Sequence, residues 1–391
     1  MMRATSGLLV LLAGCSAAPV IAPPPAAAPA AVPAAQPPPP ASVEAAPALV
    51  ARAEPAGSGV PLDAPPTEVP AVASPPPRVA RGTGSASDRK LEEGDAAHAR
   101  GDFVAAERSY RAAGALAAKD PAPIVGAARA RIAAAGVPTD YGGAPGDRVL
   151  LAAVADLRRA VRLDSAYAPA HLELGRAQLV LGQAAEARAA LGRAVELAPA
   201  DAEAHSALGV ALLASGALED ALRELGRAAE LAPGDAERQA NFGTALLAGG
   251  KTAEAIRAYE RAERLAPADA RVQNDLGTAL LAANDPARAV PHLEAAVARD
   301  PQRATYRSNL GYAHHLRGEL PKAMALYREA LALDARLGSA WINLGNALAQ
   351  SGRRAEARDA YGKALAVDPS DPRVKAVIDE LNAIEAGGAR P

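Results

Sequence analysis

The chain has 391 residues, enough for two or more ordinary domains or for one long solenoid. Lys and Arg number 42 against 44 Asp and Glu, a formal net charge of -2, which excludes the basic surplus a nucleic-acid binder needs against phosphate. Half the residues are hydrophobic but only 3% are aromatic, so the apolar content is mostly Ala and Leu and suits closely packed helices better than sheets; the single cysteine excludes an intrachain disulfide framework.

The first element is an export signal. Met1 to Gly7 carries the positive charge of Arg3, the apolar run Leu8 to Leu12 follows, and small residues come next at Ala13-Gly14-Cys15. The run is too short to span a bilayer as a permanent helix. Leu12-Ala13-Gly14-Cys15 resembles the lipobox of bacterial lipoproteins, which implies cleavage after residue 14 and a lipid-bearing Cys15; an ordinary signal peptide with an incidental cysteine is the alternative. Several acyl chains on one cysteine hold a protein firmly at a membrane, where a single chain binds only marginally. Ser16 rather than Asp follows the cysteine, which by resemblance to the enterobacterial sorting pattern implies the outer membrane, facing the periplasm.

Residues 15–86 form the next unit, rich in Ala and Pro, as in Pro23-Pro24-Pro25 and Pro75-Pro76-Pro77. The stretch has no periodic apolar positions with which to bury a core, so its composition predicts a disordered, extended tether. At about 3.1 Å per residue in polyproline II geometry, its reach is roughly 200 Å at most.

A repeat of 34 residues then sets the architecture. Glycines fall at Gly175, Gly209, Gly243, Gly277, Gly311 and Gly345, with alanines two residues later at Ala177, Ala211, Ala245, Ala279, Ala313 and Ala347. Two more alanine series, Ala187 to Ala357 and Ala194 to Ala364, keep the same beat. The pattern resembles the tetratricopeptide repeat, whose unit is a pair of antiparallel helices; the resemblance implies an all-α solenoid, a right-handed superhelix of such pairs. Six regular repeats occupy 168–371, and two divergent units with a loop insertion occupy 87–167. In this register the small residues are expected to let neighbouring helix backbones approach. Gly182, Gly216, Gly250, Gly318 and Gly352, with Asn284 in the same series, suit the turn between the helices of a pair, and Pro199, Pro233, Pro267, Pro301 and Pro369 stop each second helix. Ala335 breaks the proline series, so the step into the last repeat is expected to differ. Residues 372–386, with Val374, Val377, Ile378, Leu381 and Ile384 on one face, read as a capping helix that closes the solenoid.

In this family the first helix of each pair lines the concave face. The sixth position of the repeat carries Asn241, Asp275, Asn309 and Asn343, and the ninth carries Thr244, Thr278, Tyr312 and Asn346. Amides offer both a donor and an acceptor to a peptide backbone, and the row resembles the asparagine ladder with which some superhelical members hold extended peptides. The other reading is that these residues belong to the repeat consensus and are solvated or cap a turn. The lysine clamp for a C-terminal carboxylate is missing, because Leu172, Ser206, Ala240, Asn274, Ser308 and Ile342 stand at the fifth position. Tyr306, Tyr312, His314 and His315 gather in one repeat as a candidate sticky patch; adjacent histidines point about 100° apart on a helix and rarely serve one metal ion. His171 and His205 at the fourth position read as packing residues.

No phosphate loop, zinc-hydrolase motif, nucleophile elbow or kinase signature occurs, so no catalytic residue, cofactor or small-molecule substrate is expected. These features predict a non-catalytic scaffold of the cell envelope whose partners are proteins or extended peptide segments. Within the family the plan resembles lipoproteins that assist assembly of a secretin or pilus, and those that recruit peptidoglycan-processing enzymes. A periplasmic holdase for extended polypeptides and a non-catalytic subunit of an envelope enzyme are the competing readings; the number and folding state of captured clients separate them.

Overall fold

The computed structural model describes residues 78–137, 142–372 and 374–379. The signal peptide, Cys15, the tether up to residue 77 and the capping helix beyond residue 379 lie outside the described residues.

Among the described residues the regular structure is helical throughout. Eight antiparallel pairs follow in chain order: α1 (Ala86–Ala99) with α2 (Phe103–Leu116), α3 (Ala122–Ala134) with α4 (Arg148–Leu163), α5 (Ala168–Val180) with α6 (Ala184–Leu197), α7 (Ala202–Ala214) with α8 (Leu218–Leu231), α9 (Ala236–Ala248) with α10 (Thr252–Leu265), α11 (Ala270–Ala282) with α12 (Pro286–Arg299), α13 (Ala304–Leu316) with α14 (Leu320–Leu333), and α15 (Gly338–Gln350) with α16 (Arg354–Val367). Residues 374–379 then form a short helical stretch whose Val374 and Val377 are buried in the cluster of the last pair. Each helix packs on its chain neighbours, and every odd-numbered helix also packs closely on the next odd-numbered one. The odd helices therefore make the inner wall of the solenoid.

The local causes are regular. Asp201, Asp235 and Asp269 each accept two backbone N–H groups from the first turn of an inner helix, the orphan donors of that terminus. Between the helices of a pair, Gly182 takes φ 76°, and Asn284 takes φ 57° as the only non-glycine with positive φ among the described residues. The fourth position of the repeat has a further task. In most repeats its side chain reaches back to the carbonyl six residues earlier: Gln273 Nε2 to Pro267 O at 3.2 Å, Trp341 Nε1 to Ala335 O at 2.9 Å, and His205 Nε2 and His171 Nε2 lying 3.1 Å from Pro199 O and Ser165 O; Gln239 Nε2 instead donates to Ala229 O. An N–H donor matters here more than an aromatic ring, and Ala335 serves where other repeats have proline.

The glycines at the eighth position do more than was expected of them. A backbone atom of the second helix would lie 3.2 to 3.4 Å from a Cβ at Gly209, Gly277 and Gly311, and nearer still each glycine makes room for a side chain from the second helix of the same pair. A Cβ on Gly209 would stand 2.4 Å from Leu225 Cγ, and one on Gly345 would stand 2.5 Å from Tyr361 Cε1. Leu191, Leu225, Tyr259, Tyr327 and Tyr361 are fully buried in these seats, each worth roughly 2–3 kcal/mol of burial.

The insertion loop and the N-terminal end complete the fold. Gly142 N and Ala144 N donate to Leu179 O and Val180 O, which ties the loop to the end of α5. Packed structure begins before the boundary at 86 that composition suggested: Val79 is buried in the first core cluster, a single apolar contact that an Ala/Pro-rich composition does not reveal.

Candidate peptide groove

The inner wall is formed by α1, α3, α5, α7, α9, α11, α13 and α15, and its polar side chains fall into three groups along the rod.

At the N-terminal end the wall holds a stretch of the chain itself. Residues 78–84 run across α1 as a strap without regular secondary structure, turning at Gly82 (φ 69°) and Gly84 (φ 68°) into the helix. Asp95 accepts the N–H groups of Val79, at 3.1 Å, and Ala80, at 3.0 Å. Asp88 accepts those of Arg81, at 2.7 Å, and Thr83, at 2.5 Å. Arg81 pairs with Asp120 at 3.0 Å and lies over the ring of Tyr167. Asp88, Leu91 and Asp95 stand at the second, fifth and ninth positions of the repeat, the face that lines the groove.

Next comes a line of charges of alternating sign, carried from helix to helix. Arg129 on α3 donates to Glu173 on α5 at 3.0 and 3.2 Å, and both side chains are almost fully buried. Arg176 reaches Glu203 on α7 at 3.1 Å, and Glu203 also meets Arg238 on α9, which in turn donates to Ser206 at 3.2 Å. Arg271 pairs with Asp275 at 3.6 Å within α11. Burial raises the pKa of the Glu173 carboxyl, but Arg129 and Arg176 outweigh it and hold the group below the ordinary carboxylate range. Burial likewise opposes the charge of Arg176, and Glu173 and Glu203 overcome it. None of this ladder was anticipated from the sequence. The legible signal was the charge of both signs at the second, third, sixth and ninth positions of the middle repeats.

The third group contains the expected peptide-holding residues. Asn241, Asn309, Asn343, Asp275, Thr244, Thr278 and Asn346 are all buried, and Tyr312 is half-buried. The amides bind along the wall: Asn241 Nδ2 donates to Ser206 Oγ at 3.2 Å, and Asn309 Nδ2 to Asn274 Oδ1 at 2.7 Å. At the ninth position the polar group answers the side chain seated under it. Tyr110 OH donates to Asp95 at 2.8 Å, Tyr361 OH donates to Asn346 Oδ1 at 2.6 Å, and Thr244 Oγ1 lies 2.9 Å from Tyr259 OH. In the repeat of Thr278 the seat is filled by Leu293, which offers no hydroxyl. These contacts give the amides and hydroxyls partners within the wall, where Asn241 and Asn309 neither stand in solvent nor cap a turn. In the candidate sticky patch, Tyr306, His314 and His315 are buried as well; His314 Nδ1 lies 2.8 Å from Glu319 Oε2, while His315 packs edge-on against Tyr327. Among the described residues no group of three or more His, Cys, Asp or Glu side chains is placed to hold a metal ion, and no helix is long and apolar enough to cross a membrane.

A helix-pair solenoid with this register defines a repeat protein built for contact along its length. A model described as tetratricopeptide repeat matches residues 172–236, 241–286 and 274–337, and a second of the same description matches 315–381, together more than half of the chain. The chain belongs to the tetratricopeptide repeat family, and no catalytic family is indicated. No curated protein matches it. Among solved structures it is similar to a chain of the APC/C hetero-tetramer Cut9–Hcn1, with a TM-score of 0.58 at 16% identity over 77% of this chain and 57% of that one. This chain thus spans little more than half the length of that relative. PilF of Pseudomonas aeruginosa gives a TM-score of 0.47 at 21% identity over 56% of this chain and 98% of that one. YrrB, described as a repeat protein of this family with an unusual peptide-binding site, gives 0.38 at 24% identity over 48% and 96%. At these identities the likeness is one of fold.

Proposed function

We propose that this protein is a protein-binding scaffold of the bacterial cell envelope, anchored by a lipid on Cys15 and held off the membrane by its Ala/Pro-rich tether. One observation carries the binding half of the reading: the inner wall holds a stretch of polypeptide without regular secondary structure, residues 78–84, through carboxylates that accept its backbone N–H groups. A wall that does this at one end is chemically suited to extended segments of partner proteins elsewhere. Arg176, Glu237, Arg271 and Tyr312, mostly buried but each keeping an accessible edge, are the side chains a partner would meet, with the buried amides Asn241, Asn309 and Asn343 behind them as rigid support. The anchoring half rests on the lipobox-like Leu12-Ala13-Gly14-Cys15, and Ser16 supports the outer membrane, facing the periplasm. A secretin, a pilus or a peptidoglycan-processing machine is the kind of assembly such a scaffold would serve.

Crosslinking in intact cells, followed by affinity capture and mass spectrometry beside a Cys15→Ala control, tests the reading. One or a few recurring folded envelope partners, lost in the control, support it. A broad set of unrelated unfolded clients would replace it with the holdase reading, and a stable complex with an enzyme would make the chain a non-catalytic subunit.

A further inference from the structure

The strap fills its seat poorly. It crosses the groove with the small residues Ala80 and Gly82, and beside them a cavity of about 420 Å³ remains, lined also by Glu92, Asp95, His98 and Arg129. The seat is acidic on the strap's side, with Asp88, Glu92 and Asp95 on α1 and Asp120 beyond α2, and the strap brings Arg78 and Arg81 to it. The bonds that hold residues 79–81 of the strap engage its backbone and the Arg81 side chain; Val79 adds the one buried apolar side chain. Such contacts recognise a segment with a small apolar residue followed two places later by a basic one and then by a glycine, which takes φ 69° here.

We propose that the groove over α1 is a peptide site for basic segments that turn at glycine, occupied in cis by residues 78–84 and open to a partner segment that displaces them. The proposal deepens the scaffold reading by naming where one partner segment binds and what its chemistry is. A resident tethered next to its own site has an effective concentration in the millimolar range, so a competitor must bind better than the strap does. The cavity supplies the means: a segment with a larger apolar side chain in place of Ala80 gains about fourfold in affinity for each CH₂ it buries.

The test uses the full chain and fluorescein-labelled synthetic peptides of residues 76–85, read by fluorescence anisotropy. In a Val79→Asp/Arg81→Asp chain, whose own strap is repelled by the acidic seat, the native-sequence peptide binds at least tenfold more tightly than to the wild-type chain. The Ala80→Leu peptide binds several-fold more tightly still, and adding Asp88→Asn and Asp95→Asn abolishes both. A second measurement needs no strap variant. Saturating Ala80→Leu peptide on the wild-type chain accelerates hydrogen exchange at the N–H groups of Val79, Ala80 and Arg81, which the docked strap otherwise slows. If neither peptide binds a Val79→Asp/Arg81→Asp chain of native circular dichroism, or if that exchange is unchanged by the peptide, residues 78–84 are a fixed part of the fold and the proposal is overturned. Binding that survives Asp88→Asn/Asp95→Asn overturns it too, by placing the peptide elsewhere. Partner capture in cells is read separately, so this site can fail while the scaffold reading stands.

Discussion

Replacing Glu203 by Gln strikes the charge ladder where two arginines depend on one carboxylate. Glu203 pairs with Arg176 at 3.1 Å and with Arg238 from the next repeat, and the side chains of Glu203 and Arg238 are only 9% and 4% exposed. Glutamine keeps the shape and removes the charge. Arg238 is left with Glu237 at 3.8 Å and Asp235 at 4.0 Å, and Arg176 with Glu173 at 4.0 Å. Removing one partner of a buried ion pair costs about 3–5 kcal/mol, and these remaining carboxylates place the expected loss near the lower end, about 3 kcal/mol. The exposed pair Arg223–Asp220, 68% and 53% exposed, is the control, and Asp220→Asn is expected to cost about 0.2–1 kcal/mol. Urea titration followed by circular dichroism gives both values, and hydrogen exchange shows the Glu203 effect concentrated in α5 to α9, since each repeat touches only its neighbours. Adding Arg238→Met to Glu203→Gln recovers much of the loss, because the uncompensated charge is gone. If Glu203→Gln costs no more than Asp220→Asn, the ladder is not a stabilising element and the reasoning fails.

Other perturbations separate packing from propensity and charge. Gly209→Ala is expected to destabilise by about 1–3 kcal/mol, since the new Cβ meets Leu225 Cγ at 2.4 Å and Leu225 N at 3.2 Å, whereas Gly192→Ala, with nothing within 4 Å, gains roughly 0.5–1 kcal/mol of helix propensity; equal melting temperatures would refute the seat. The depressed pKa of Glu173 makes its contribution full above the unfolded carboxyl pKa of about 4.3 and lost as pH falls through the lower folded value. Stability attributable to Glu173 is therefore flat from neutrality to about pH 5 and falls in more acid solution, and a Glu173→Gln chain whose melting curve tracks the wild type throughout that range would contradict this. At the fourth position, His205→Gln keeps a donor for Pro199 O and is expected to change stability by less than about 1 kcal/mol, while His205→Leu leaves that carbonyl unpaired and costs about 1–3 kcal/mol in a thermal melt.

Much of the fold was legible because a 34-residue period writes the same helix pair six times, and Asn284 even kept the turn's conformation in place of glycine. The candidate site was less legible. The period places Asn241, Asn309 and Asn343 on the inner helices, but whether an amide faces a guest or the neighbouring helix depends on how tightly those helices close. Here Ser206 and Asn274, both one position before the expected site, take up the amides of the following repeat. The ladder from Arg129 to Arg238 escaped for a related reason: its partners lie 27 to 44 residues apart and no single repeat contains a pair like Arg129–Glu173. The strap escaped because only Val79 and Arg81 distinguish it from the Ala/Pro-rich stretch before it.

The central claim is that partners meet the inner wall of this solenoid, and site-specific photo-crosslinking in intact cells tests it most directly. A photoreactive residue is placed at Tyr312, half-buried on the inner helix α13, and in a parallel chain at Arg227, exposed on the outer helix α8. The account predicts a discrete protein adduct from the inner position and none of comparable yield from the outer one. Adducts confined to Arg227, in a chain of native fold, would move the binding surface to the outside and contradict the account.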